Sequence, residues 1–92
     1  MMAVHPGRVL RREMAARELS ANALALALRT PSGRITDILN GKRGVSPETA
    51  MRLARYFGNS ARFWLNLQTA YELALAEREL GEKIAAEVSP AA

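Results

Sequence analysis

The chain has 92 residues, enough for one domain with a modest core. It has no cysteine, which excludes a disulfide framework and thiolate metal sites. It has no apolar run near the ~20 residues that span a bilayer, and its opening "MMAVHPGRVLRRE" lacks a secretory signal's apolar stretch, so the expectation is a cytoplasmic protein with no membrane partner. Charge is split. Residues 1–70 hold eleven Lys/Arg against four Asp/Glu, and residues 71–92 hold two against five. A basic body with an acidic tail points the body toward a polyanion.

The pattern is helical throughout. A first helix is expected from Pro6, because proline is tolerated in a first turn. Val9, Leu10, Met14 and Ala15 would face inward, with Arg8, Arg11 and Arg12 outside. His5, the single histidine, has no partner that would make a metal site, so it is read as fixing the start of this helix. The next segment, Ala21–Leu28, has leucines that alternate as in a strand. The intervening residues are mostly alanine rather than polar, so no wet face is defined. Ala and Leu are also strong helix formers, and Ser20 supplies an N-cap.

A third helix is predicted with Thr30 as N-cap and Pro31 at the first helical position, closing at Asn40-Gly41. A fourth has Ser46 as N-cap, then Pro47, Glu48 and Thr49, and ends at Gly58. A fifth begins after Ser60 and carries Phe63, Trp64, Leu67, Tyr71, Ala74 and Leu75 on one stripe. Phe63 and Trp64 could stack bases, but their spacing with Leu67 and Tyr71 argues for packing. Gly81 is expected to mark fraying, and residues 85–92 have little to bury. The expected organisation is an all-α unit over 1–76, with an acidic helical extension and loose tail over 77–92.

The functional constellation lies in residues 20–43, "SANALALALRTPSGRITDILNGKR": short helix, tight turn, short helix. That layout is a helix-turn-helix, in which the second helix enters the major groove of DNA. Ile35, Ile38 and Leu39 share one face and must pack inward. The outward set is then Ser32, Gly33, Arg34, Thr36 and Asp37. These are short and polar, with one long cation. Arg34 suits the N7 and O6 of guanine, and Ser32 and Thr36 can reach bases or phosphates. Asp37 repels phosphate; it would accept from a cytosine amino group or orient Arg34. Lys42 and Arg43 in the following turn would grip the backbone. No motif pairs a nucleophile with a base, and no glycine-rich phosphate loop occurs. A non-enzymatic protein without cofactor or metal is therefore expected.

The stretch resembles the XRE/Cro-type helix-turn-helix of phage repressors, with the fold of a five-helix lambda-repressor-like domain. More narrowly, residues 5–71 resemble the HigA-type antitoxins of bacterial toxin–antitoxin pairs. "HPGRVLRRE", "GRITDILNGKRGVSPETAMRLARYFGNSARFWLNLQ" and "AYELALA" carry the likeness, and "FWLNLQ" is its most specific part. The resemblance implies a protein that represses its own operon and neutralises a small toxin encoded nearby, typically an mRNA endonuclease. A stand-alone repressor and an acidic-protein-binding module share these motifs and stay open. Arg29 departs from the family, which often holds glycine there. A two-fold homodimer on a palindromic operator is expected, built by Phe63, Trp64, Leu67, Tyr71 and Leu75. The toxin is expected to favour the glutamates of the tail, with the first helix as the second candidate.

Overall fold

In the computed structural model, which describes residues 3–91, five helices follow one another: α1 Pro6–Ala16, α2 Ala21–Leu28, α3 Ser32–Leu39, α4 Pro47–Phe57 and α5 Ala61–Glu87. Met1, Met2 and the last residue of the expected tail, Ala92, lie outside the described residues. The described residues contain no strand, and no helix is long and apolar enough to cross a membrane.

Local chemistry sets most boundaries. The hydroxyls of Ser20, Ser46 and Ser60 accept from the backbone N–H three residues on, so each satisfies an otherwise orphaned donor. His5 does the same for α1: its Nδ1 accepts from the Gly7 N–H at 2.9 Å. Gly41 and Gly58 take left-handed backbone (φ 74° and 77°) beyond α3 and α4. Arg29 also takes it, with φ 57° and ψ 48°, despite its side chain. Glu18, in the turn after α1, is the other non-glycine residue with positive φ among those described.

Three expectations are corrected. α3 starts at Ser32, not Pro31. Pro31 is the extended N-cap residue (ψ 140°), and the Thr30 hydroxyl accepts from Arg34 Nη1 at 3.4 Å rather than capping the helix. Ala15 is exposed, on the arginine side of α1. α5 passes through Gly81 without a break and runs to Glu87. One glycine costs only about 1 kcal/mol, and its neighbours Glu79, Leu80, Glu82 and Lys83 are good helix formers.

The core gathers Leu10, Met14, Leu24, Leu28, Ile35, Ile38, Leu53 and Trp64, all nearly or fully buried. In α2, Leu24, Ala25 and Leu28 point inward while Leu26 is 70 % exposed. That is the helical reading of the alternating leucines. Arg52 ties α4 to α2: its Nη1 donates to the Leu28 carbonyl at 2.9 Å while its Nε pairs with Glu48. The indole N–H of Trp64 donates to Asn59 Oδ1 at 2.9 Å, so the largest core side chain is buried with its polar atom satisfied.

α1 approaches α3 at Gly7. A Cβ there would collide with the carbonyl oxygen of Ile38, so only glycine permits the contact. The "HPG" triplet is thus a cap, a first-turn proline and a close-approach glycine. Together they set the end of α1 against the end of the helix-turn-helix.

Candidate nucleic-acid interface

α3 is held by Ile35 and Ile38, both fully buried, with Leu39 half-buried beside them. This anchoring fixes which residues face out. Ser32, Gly33 and Thr36 are exposed on the opposite side. A Cβ on Gly33 would meet nothing within 4 Å, so this face is open and low. The Thr36 hydroxyl donates to the Ser32 carbonyl at 3.2 Å, which leaves its lone pairs free to accept. The helix therefore offers a smooth, polar surface with no bulky side chain in front of it.

Arg34 and Asp37 flank this face and are half-buried. The Arg34 guanidinium lies back on Thr30, so it must swing forward to reach a base edge. Asp37 does not orient Arg34. Its carboxylate lies 4.0 Å from Arg43 Nε instead, and its backbone carbonyl accepts from the N–H groups of Lys42 and Arg43 at 2.8 and 3.2 Å. Asp37 is thereby the post around which the basic turn is wound. With both side chains about half exposed, the ion pair itself contributes under about 1 kcal/mol.

Lys42 and Arg43 are exposed, next to the C-terminal end of α3. Two residues that sequence reasoning passed over hold their turn in place. Gln68, buried on α5, accepts from the Val45 N–H at 2.8 Å through Oε1 and donates to Glu72 through Nε2 at 2.9 Å. Gly44 lies so close to this amide that a Cβ there would clash with it. His5 reaches the same turn from the other side. Its ring makes a hydrogen bond to the Arg43 backbone and packs edge-on against Tyr71, with ring centroids 4.9 Å apart. Burial lowers its pKa below the ordinary 6.5, and the bond to Arg43 acts against that shift. The signals for both residues were weak: a polar residue among apolar ones at Gln68, and a histidine before proline at His5.

The expected dimer stripe is distributed differently from expectation. Trp64 is fully buried in its own domain and has no surface to give a partner, because its ring closes the core over Leu53 and its N–H is engaged. Phe63 is 41 % exposed, and Leu67, Tyr71 and Leu75 are half-buried against the domain. Among the described residues no three His, Asp or Glu side chains group as a metal site.

The comparisons with known proteins agree with this geometry. A helix-turn-helix domain family matches residues 7–62. Virulence-associated protein I of Dichelobacter nodosus is 50 % identical over 80 residues, covering 86 % of this chain and 74 % of that protein. An addiction module antidote protein of the HigA family from Coxiella burnetii superposes with a TM-score of 0.95 at 46 % identity, over 99 % of this chain and 100 % of that one. The Pseudomonas aeruginosa antitoxin HigA, solved with the higBA promoter, superposes at 0.94 with 42 % identity, over 98 % and 99 %. With the fold matched end to end at such identity, the chain belongs to the XRE-type helix-turn-helix family and, within it, to the HigA antitoxins.

Proposed function

We propose that this protein is the DNA-binding antitoxin of a toxin–antitoxin pair. It binds a palindromic operator in its own promoter as a homodimer and neutralises a small toxin encoded next to it, an mRNA endonuclease. The observation that carries the reading is the open outward face of α3, with Ser32, Gly33 and Thr36 clear of obstruction and basic residues at its far end. The likeness to an antitoxin solved with its promoter supports it. Arg34 reads a guanine, Ser32, Gly33, Thr36 and Asp37 line the groove, and Lys42 and Arg43 hold phosphates. Phe63, Leu67, Tyr71 and Leu75 contribute to the dimer. The protein acts by binding, in the cytoplasm, and catalyses nothing itself. Residues 1–76 form the binding and dimerising unit, and 77–92 its acidic extension.

The test is to express the protein with its genomic neighbour and to assay the DNA upstream of the gene pair. Co-purification of the neighbour, relief of its toxicity, and retention of that DNA are expected. Retention that falls steeply with salt would reflect phosphate contacts. Operator binding with no effect on any neighbouring product would leave a stand-alone repressor. Loss of DNA binding would remove the reading of α3.

A further inference from the structure

α5 carries large apolar side chains on two opposite sides. At 100° per residue, Trp64, Gln68, Tyr71 and Leu75 fall in one sector and face the domain. Leu73, Leu80 and Ile84 fall in another, about half a turn round. They are 56 %, 43 % and 51 % exposed. This second stripe cannot turn onto its own domain without pulling Trp64 out of the core. Beyond Leu75 nearly every residue of the helix is exposed, and the molecule is 53 Å long but 22 Å across. A solvated helical arm of about a dozen residues is marginal in water by itself. Three exposed aliphatic side chains on one side of it call for a covering surface.

The arm is acidic. It holds Glu77, Glu79, Glu82 and Glu87 against Arg78 and Lys83, and its last turn has no basic residue to offset the negative end of the helix dipole. Stripe-to-stripe pairing of two arms would bring like charges together. The complementary surface lies elsewhere on the same protein. A groove of about 580 Å³ runs between α2 and α4, lined by Ala27, Leu28, Met51 and Tyr56, with Arg29 and Arg55 at its rim. Met51 is 66 % exposed there. Among the described residues, neither Arg29 nor Arg55 makes an ion pair, whereas Arg52 between them is already held by Glu48 and the Leu28 carbonyl.

We infer that the arm of one copy, through Leu80 and Ile84, lies in the α2–α4 groove of a second copy, with its glutamates against Arg29 and Arg55. The two copies thus exchange arms. Both outward faces of α3 stay free, because no α3 residue lines the groove. The inference rests on the homodimer in the reading above and names the surface that builds it.

The lack of cysteine makes the test direct. Met51→Cys and Ile84→Cys are prepared separately, mixed, allowed to exchange and mildly oxidised. A covalent dimer is expected in the mixture and not in either variant alone. Linking of Ile84→Cys with itself would show stripe-to-stripe pairing and overturn the inference. A sedimenting dimer without any link would place the arm elsewhere and overturn it too. Thiol labelling of Ile84→Cys that is blocked only after the co-expressed neighbour is added would assign the stripe to that protein instead. A monomer at tens of micromolar would remove the homodimer itself, a result distinct from the others. A second variant, Leu80→Ser with Ile84→Ser, changes only exposed positions. It should weaken the dimer by at least about tenfold while leaving the helical content of the domain intact.

Discussion

Arg34 and Lys42 carry the same charge and are expected to fail differently. Arg34 flanks the groove-facing side of α3, whereas Lys42 sits in the turn beyond it. Arg34→Ala should cost about 1–3 kcal/mol per half-site and relax base preference at one position. Lys42→Ala should weaken all DNA alike and lower the salt slope by about one. Binding to a set of operator variants at several salt concentrations separates them; matching profiles would make Arg34 a phosphate contact. The same Arg34→Ala protein should still neutralise the toxin, since Arg34 lies outside the arm. His5 supplies a residue-scale pH effect. Its folded pKa is depressed below 6.5 by burial, so the unfolded chain takes up the proton first. The stability it contributes is complete above pH 6.5 and is lost as pH falls below that toward the lowered folded value. Protonation also ends the acceptance from Gly7 N–H. Thermal melts between pH 8 and pH 5, values chosen to bracket the ordinary histidine pKa of about 6.5, should show this loss. His5→Asn, which caps without titrating, should flatten it.

At the scale of elements, Gln68 joins α5 to the basic turn. Gln68→Leu leaves the Val45 N–H buried without a partner and should cost about 1–3 kcal/mol. It should also weaken operator binding, because the turn carrying Lys42 and Arg43 loses its strut. Denaturant unfolding measures the first effect and a binding titration the second; unchanged operator affinity would mean that Asp37 and His5 suffice to hold the turn. Gln68 also marks what was legible in the sequence. The helix starts at Ser20, Ser46 and Ser60 could be read because a cap is local chemistry, decided within three residues. The inward face of α3 could be read because Ile35, Ile38 and Leu39 repeat at helical spacing. The bond from Gln68 to Val45 spans 23 residues, and no local pattern announces it. Asp37 fails for a similar reason. Its nearest cation on the helix is Arg34, but the turn folds back and brings Arg43 to it. Trp64 was visible as part of a stripe. Which side of that stripe met its own core and which met a partner depends on packing between distant segments. Arg29 is the reverse case: its left-handed backbone was foreshadowed by the family's glycine, and the fold accepts a local cost of about 1–2 kcal/mol there.

For the whole molecule, the arrangement of charge follows function. The basic surface belongs to the DNA-facing body, and the acid is carried out on the arm, away from phosphate. In a two-fold assembly the two α3 helices must enter successive major grooves on one side of the duplex. Their centres should therefore stand about 34 Å apart, or a multiple of that. Hydroxyl-radical footprinting of the promoter should show two protected half-sites at that spacing, and inserting half a helical turn between them should abolish cooperative binding.

The opposed faces of α5 also give one helix two different sensitivities to dilution. Its first half is stabilised from within the same chain, so its local opening is insensitive to how much protein is present. Its second half is covered by another molecule, and mass action governs it. Amide exchange measured across a dilution series should find protection near Trp64 unchanged while protection near Ile84 fades. Along a single unbroken helix, the abundance of the protein would be written into the lifetime of its last three turns.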